Sequence, residues 1–203
     1  MKPTVPTRQF TVESDRSLLV FDDLFDPQEV ANFSTIIAQL NYERRDSFDN
    51  ELNCNIANEP FKRAPFLYPV LEALLDSQSK RFGVSDPTVG LSHVYAAAVD
   101  SRTALLPHQD SQAPQAVSFL YYGNVAWRRD WGGETLFYDS AGEVVAGVIP
   151  KPGRLAMFHS NIAHRGGAPH PDAPTLRYTI ASFFFPGCRI GHEVEAARAQ
   201  VGS

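Results

Sequence analysis

His108 and Asp110 stand two positions apart in LPHQDSQ, after an apolar run and a proline. On an extended segment residues i and i+2 point the same way, so an imidazole nitrogen and a carboxylate oxygen converge on one point while Gln109 faces away. One more histidine would complete a set of two imidazoles and one carboxylate. That set suits non-haem Fe(II) and leaves the opposite face of the metal open for a co-substrate and O2. The downstream segment KPGRLAMFHSNIAHRGGAPHPDAPTLRYTIASFFF offers three candidates. His159, beside Phe158 at the end of an apolar strand, suits a hydrogen-bonded, partly buried histidine. His164 is expected in a loop beyond that strand, ahead of RGG, where a turn brings backbone close to a ligand. His170, within APHPDAP, suits loop surface. His93 shares a strand face with Tyr95 and is a further histidine near the same region.

The second chemical signal is a cation in an apolar strand. LRYTIASFFF carries one arginine, and a buried guanidinium without an anionic partner is strongly unfavourable. Arg177 and Thr179 are again i and i+2. A planar fork donor beside a hydroxyl fits the far carboxylate of a dicarboxylic acid; an internal Asp or Glu is the alternative partner. In NVAWRRDWGGETLFYD, Gly132 and Gly133 permit a tight turn, and Trp127 and Trp131 either cap the core or form a substrate wall. Arg128 and Arg129 are candidates for pairing with a substrate carboxylate or phosphate, with solvated surface the plainer role for each. Glu134 is expected to be a structural hydrogen-bonding residue.

The elements that must hold these groups are mainly strands. From residue 91, LSHVYAAAV, AVSFLYYG, ETLFYD, EVVAGVIP, RLAMFHS and LRYTIASFFF are short β-branched or aromatic runs cut by Gly, Pro, Asn and Asp. Such a succession indicates a sandwich or jelly roll. The first 85 residues read as mostly helical. DPQEVANFSTIIAQL begins with Asp26 as N-cap, Pro27 at the first helical position and Glu29 completing a capping box. APFLYPVLEALLDSQSKRF predicts a second helix ending before Gly83, with Pro69 able to delay its start or kink it. The helices would pack on the outer face of one sheet.

At 203 residues, 43% hydrophobic and 20% charged, the chain is expected to form one domain over residues 1–203. Within it, helical support would occupy about 1–88 and the jelly-roll core about 89–186, followed by a short tail. The net charge of −5, without a basic stripe, argues against a nucleic-acid partner. Arg44–Arg45, Lys62–Arg63 and Arg128–Arg129 are isolated pairs. The N-terminus has only a four-residue apolar run, too short for a signal-peptide core or a membrane span. Cys54 and Cys188 read as free thiols in a reducing compartment. A cytoplasmic protein with no membrane partner is therefore expected; the sequence carries no signal for oligomeric state.

HQD, WGGETLFYD, PGRLAMFHSNIAHRGG and RYTIASFFF, in that order over about residues 90–186, resemble the Fe(II)/2-oxoglutarate-dependent dioxygenases, in particular their prolyl 4-hydroxylase-like branch. The N-terminal third matches only loosely. The resemblance implies a double-stranded β-helix, with His108, Asp110 and His164 binding Fe(II) and Arg177 binding the C5 carboxylate of 2-oxoglutarate. Thr179 stands where the family commonly has a serine or threonine, and Tyr95 resembles a tyrosine that contacts the co-substrate. Branch members often use lysine in place of Arg177, which leaves the substrate class open. The implied reaction consumes 2-oxoglutarate and O2, releases succinate and CO2, and hydroxylates an unactivated C–H of an amino acid, peptide or small metabolite. Related halogenases lack the carboxylate ligand, so Asp110 favours hydroxylation or another two-electron oxidation. Two other classes compete: a cupin-like metal-dependent isomerase or hydrolase that does not use 2-oxoglutarate, and a non-catalytic β-sandwich binding module.

Overall fold

The computed structural model describes residues 5–13, 15–46, 53–58, 67–103 and 105–188. In chain order the elements are β1 (Arg8–Glu13), β2 (Arg16–Phe21), α1 (Pro27–Ala38), β3 (Glu43–Asp46), β4 (Asn53–Asn58), α2 (Leu67–Gln78), β5 (Gly90–Val99), β6 (Val117–Tyr122), β7 (Thr135–Tyr138), β8 (Val144–Val148), β9 (Leu155–His159), β10 (Ala163–Gly166) and β11 (Arg177–Phe185). A 3-10 turn spans Arg129–Trp131. Eight strands form a major sheet in the order β1-β2-β9-β6-β11-β5-β4-β3, and β10-β7-β8 form a minor sheet. The pairings are antiparallel, and the two sheets face each other as the expected double-stranded β-helix.

Both helices arise where the sequence places them, but α2 ends at Gln78 rather than just before Gly83, because residues 79–83 form turns in which the Ser79 hydroxyl donates to the Asp76 carbonyl and the Val84 amide to the Ser79 carbonyl. At the start of α1 the Asp26 carboxylate accepts from the Glu29 amide at 2.8 Å, and the Glu29 carboxylate accepts from the Asp26 amide at 2.9 Å. These two bonds satisfy donors that a helix start leaves unpaired. Pro69 lies in the first turn of α2, where its missing N–H costs nothing. One expectation is corrected: the N-terminal third is not mostly helical, because β1 to β4 extend the major sheet on both edges. The four-residue apolar run that is too short for a membrane is the right length for a strand covered on both sides. Leu18 and Val20 point between the sheets, while Leu19 and Phe21 point to the helices.

That alternation governs the whole major sheet. Val117 and Tyr121 of β6, Leu155 and Met157 of β9, and Ile180 and Phe184 of β11 pack with Phe33 and Ile37 of α1 and Leu71 and Leu74 of α2. The intervening residues face the minor sheet: Tyr122, Ala156 and Phe158 meet Phe137, Ala146 and Val148. Covering both faces explains why these strands read as nearly continuous apolar runs. No described helix is long and apolar enough to cross a membrane. Cys188 is a free thiol. The side chain of Cys54, the Lys62–Arg63 pair and the tail beyond residue 188 lie outside the described residues.

Candidate metal centre and co-substrate cavity

His108 and His164 are joined by a short antiparallel bridge in which each backbone amide donates to the other's carbonyl at 2.9 Å. Residues opposed in this way project to the same side. Asp110, two positions on, is fixed through its amide, which donates to the Ser160 carbonyl at 2.9 Å. One Asp110 carboxylate oxygen lies 3.6 Å from His108 Nε2, and the other lies 3.7 Å from His164 Nε2. The three side chains form the described cluster able to hold a metal ion, with donor atoms within 4.8 Å of one another. The structure thus brings His164 to the HxD pair, and not His159 or His170. His159 instead accepts from the Ser17 amide at 2.9 Å and stacks on Phe82, facing the helices. His170 is exposed beside Asp172. His164 itself is not in a loop: it sits on β10, opposite Phe137 of β7. The glycines after it end that strand rather than prevent it.

Each imidazole is oriented by its own chain. His108 Nδ1 lies 3.1 Å from the Leu106 carbonyl, and His164 Nδ1 lies 3.0 Å from the Ile162 carbonyl. A carbonyl only accepts, so Nδ1 carries the proton in both rings and each Nε2 keeps its lone pair for a metal. Phe137 and Phe158 pack against the His164 ring at 5.8 and 4.7 Å. Burial alone would raise the Asp110 carboxyl, but His164, His108 and a hydrogen bond from Ser118 outweigh it and hold the group below the usual carboxylate range. Burial holds the His164 imidazole below its ordinary value, against the pull of Asp110. A neutral His164 imidazole beside an ionised Asp110 carboxylate suits a divalent cation.

The triad opens onto a cavity of about 50 Å³ whose floor is the inward face of β6, β11 and β5. Their registers lay it out in rows: Tyr122–Thr179–Ala97, then Leu120–Ala181–Tyr95, then Ser118–Phe183–His93. Arg177 follows beyond the first row, opposite Val99. The small side chains of Ala97, Thr179 and Ala181 leave the space that larger residues would fill. Arg177 is 2% exposed and donates to the Thr135 hydroxyl at 2.8 Å. The Tyr122 hydroxyl also contacts Thr135 Oγ1 at 2.8 Å, and the Tyr122 ring lies 5.5 Å below the guanidinium carbon. Two glycines make room for this arginine. A Cβ on Gly133 would stand 3.0 Å from Arg177 Cδ, and one on Gly166 would stand 3.4 Å from Arg177 Nη1. Gly133 also has φ +75°, so the expected tight turn is present and serves the arginine as well. A guanidinium, a hydroxyl and small neighbours in one hollow fit a carboxylate-bearing co-substrate, as the triad fits a divalent metal.

Tyr95, Arg177 and Thr179 line this cavity with the three metal-binding candidates; Trp127, Arg128 and Arg129 are not among its lining residues. The Trp127 indole donates to the Gly132 carbonyl at 3.0 Å and meets Trp131 edge-on. Arg128 is exposed, paired with Asp130 and placed over the Trp131 ring. Sequence reasoning missed Thr135, Tyr122, Gly166 and the Phe137–Phe158 clamp. For Tyr122 a signal existed, because Ser118 and Tyr122 put two hydroxyls on one face of an otherwise apolar strand.

Residues 92–185 match the family model described as the 2OG-Fe(II) oxygenase superfamily. No curated protein sequence matches the chain significantly. Solved structures share the fold. A prolyl hydroxylase from Trichoplax adhaerens, in complex with a hypoxia inducible factor oxygen degradation domain peptide fragment, has TM-score 0.67 and 18% identity, covering 90% of this chain and 86% of its own. A Pseudomonas putida prolyl-4-hydroxylase has TM-score 0.61 and 16% identity, covering 86% and 93%. A non-heme alpha ketoglutarate dependent carbocyclase from nogalamycin biosynthesis has TM-score 0.59 and 11% identity, covering 89% and 87%.

Proposed function

Proceeding from a chain whose residues 92–185 are a 2OG-Fe(II) oxygenase domain, we propose that His108, Asp110 and His164 hold the iron and that Arg177 and Thr179 receive the C5 carboxylate of 2-oxoglutarate. The protein is a 2-oxoglutarate-dependent oxygenase, and the bound iron and 2-oxoglutarate supply the oxidising chemistry, with O2 consumed and succinate and CO2 released. The chain's own residues bind, orient and exclude water. Leu106 and Ile162 carbonyls set the imidazole tautomers, and Ser118 steadies the carboxylate. Thr135 holds one edge of the Arg177 guanidinium, and the Tyr122 ring supports its face. Tyr95, in the row between Thr179 and the triad, borders the co-substrate path.

The observation that carries this assignment is the placement of a histidine–aspartate–histidine cluster and a buried arginine on one cavity. An isomerase or hydrolase without 2-oxoglutarate, or a binding module, gives that arginine no ligand. The reaction proposed for the primary substrate is hydroxylation of an unactivated C–H, and a peptide is the first substrate class to test, because the Trichoplax enzyme of the same fold is seen with a peptide. The single domain over residues 1–203 is part of the same proposal. Succinate formation from 2-oxoglutarate under air, with Fe(II) added or chelated, tests the reading. Iron-dependent succinate that rises with an added peptide is expected; succinate formation indifferent to iron would overturn it.

A further inference from the structure

The row Ser118–Phe183–His93 starts beside the candidate metal ligand Asp110 and ends at the exposed His93. The Ser118 hydroxyl lies 2.8 Å from Ser160 Oγ and helps to hold the Asp110 carboxyl ionised. Phe183, 4% exposed, lines the cavity. His93 stands opposite Phe183 across the β5–β11 pair, and the two rings stack with centroids 4.2 Å apart and planes 15° from parallel. Phe185 meets the His93 ring edge-on at 5.7 Å, and Tyr95 lies 5.6 Å from Phe183. The imidazole is therefore the outer member of a flat stack whose inner member lines the cavity. His93 is exposed, and its Nδ1 is 3.2 Å from the Ser92 hydroxyl. Arg177 lies at the other end of the β11 cavity face, about 20 Å away along an extended strand. The co-substrate and this stack therefore occupy different ends of the floor.

The geometry points to His93 as a specificity-determining residue for the primary substrate: its outer face is a stacking platform for a planar, uncharged aromatic ring carried by the substrate beside the cavity. This deepens the oxygenase reading and rests on it for the identity of the reaction. A one-ring extension of an existing stack selects flatness. A saturated ring of similar size gains apolar burial there but not the offset stacking that two π-systems add. The chemistry is that of a phenyl, indole or fused aromatic group, whether on a peptide side chain or on a free small molecule.

Calorimetric titration of the full-length protein with N-acetyl-Gly-Phe-Gly amide, its cyclohexylalanine counterpart and 3-phenylpropanamide, each with and without Fe(II) and 2-oxoglutarate, tests the platform. The comparison is with His93→Leu, which keeps Phe183 covered but removes the planar face. In wild type the phenylalanyl peptide is expected to bind about 3–10-fold more tightly than the cyclohexylalanyl peptide, a preference of the size aromatic pairing supplies, and His93→Leu should erase that ratio. Peptide and 3-phenylpropanamide affinities then separate a peptidyl source of the ring from a free one. Equal affinities for flat and saturated rings in wild type, a ratio that survives in His93→Leu, or no binding of any ring at millimolar concentration would each overturn the platform. Failure of 2-oxoglutarate to bind would overturn the oxygenase assignment instead, since the ring ratio is read independently of it.

Discussion

On its helix side the major sheet presents Val117, Tyr121, Leu155, Met157, Ile180 and Phe184, all at most 1% exposed. On its cavity side, neighbouring positions of the same strands present Ser118, Thr179, Ala181 and Arg177, with Ala97 across on β5. The two faces differ in filled volume. Large side chains interlocked with α1 and α2 supply cohesion, whereas on the opposite face the small Ala97, Thr179 and Ala181, set among Tyr122, Leu120 and Phe183, leave a hollow with a cation at one end and the three candidate metal-binding groups at the other. A period of two along one strand thus separates the residues that hold the fold from those that act in it, so the two sets should fail in different assays.

The largest effect expected on the cavity side is from Asp110→Ala. It should abolish turnover while leaving the melting temperature near that of wild type, measured by succinate formation and thermal unfolding; retained turnover would break the contrast. Next, Arg177→Ala removes a buried cation that would face the co-substrate. A loss of about 3–5 kcal/mol is expected, which is about two to four orders of magnitude in 2-oxoglutarate KM. On the helix side, Ile180→Ala should destabilise by about 2–5 kcal/mol through the cavity it leaves. Denaturant unfolding would read that loss, and the folded fraction should keep its 2-oxoglutarate affinity. Ala181→Leu sharpens the comparison from the other direction. It fills the hollow and should lower 2-oxoglutarate affinity more than stability, with an overpacking cost of about 1–3 kcal/mol. The smallest effect belongs to Arg128→Ala: the residue is exposed and paired with Asp130, so thermal unfolding and succinate formation should both stay close to wild type.

Particular residues show how far the sequence spoke for itself. His108, Asp110, Arg177 and Thr179 were legible because a period of two on short strands places i and i+2 together without any tertiary knowledge. The start of α1 was legible because a capping box is a local device. The strand around His164 was not, because Gly166 and Gly167 read as a turn and β10 is held by its partners, β7 and the His108 bridge. β2 and β4 were hidden for a similar reason, since the strands that hold them in the sheet, β9 and β5, are distant in sequence, and the edge strands β1 and β3 join only through them. Thr135 and Gly166 escaped notice because what they do, touching or making room for Arg177, exists only once β7 and β10 lie over β11.

The central claim is that one cavity holds a metal through His108, Asp110 and His164 and a dicarboxylate through Arg177. Anaerobic titration of Fe(II), then of 2-oxoglutarate, into wild type, Asp110→Ala and Arg177→Ala tests it most directly. One iron per chain is predicted for wild type and Arg177→Ala, and greatly weakened iron binding for Asp110→Ala. Tight 2-oxoglutarate binding should require both side chains. Wild-type iron stoichiometry and affinity in Asp110→Ala, or 2-oxoglutarate binding undiminished by Arg177→Ala, would contradict it.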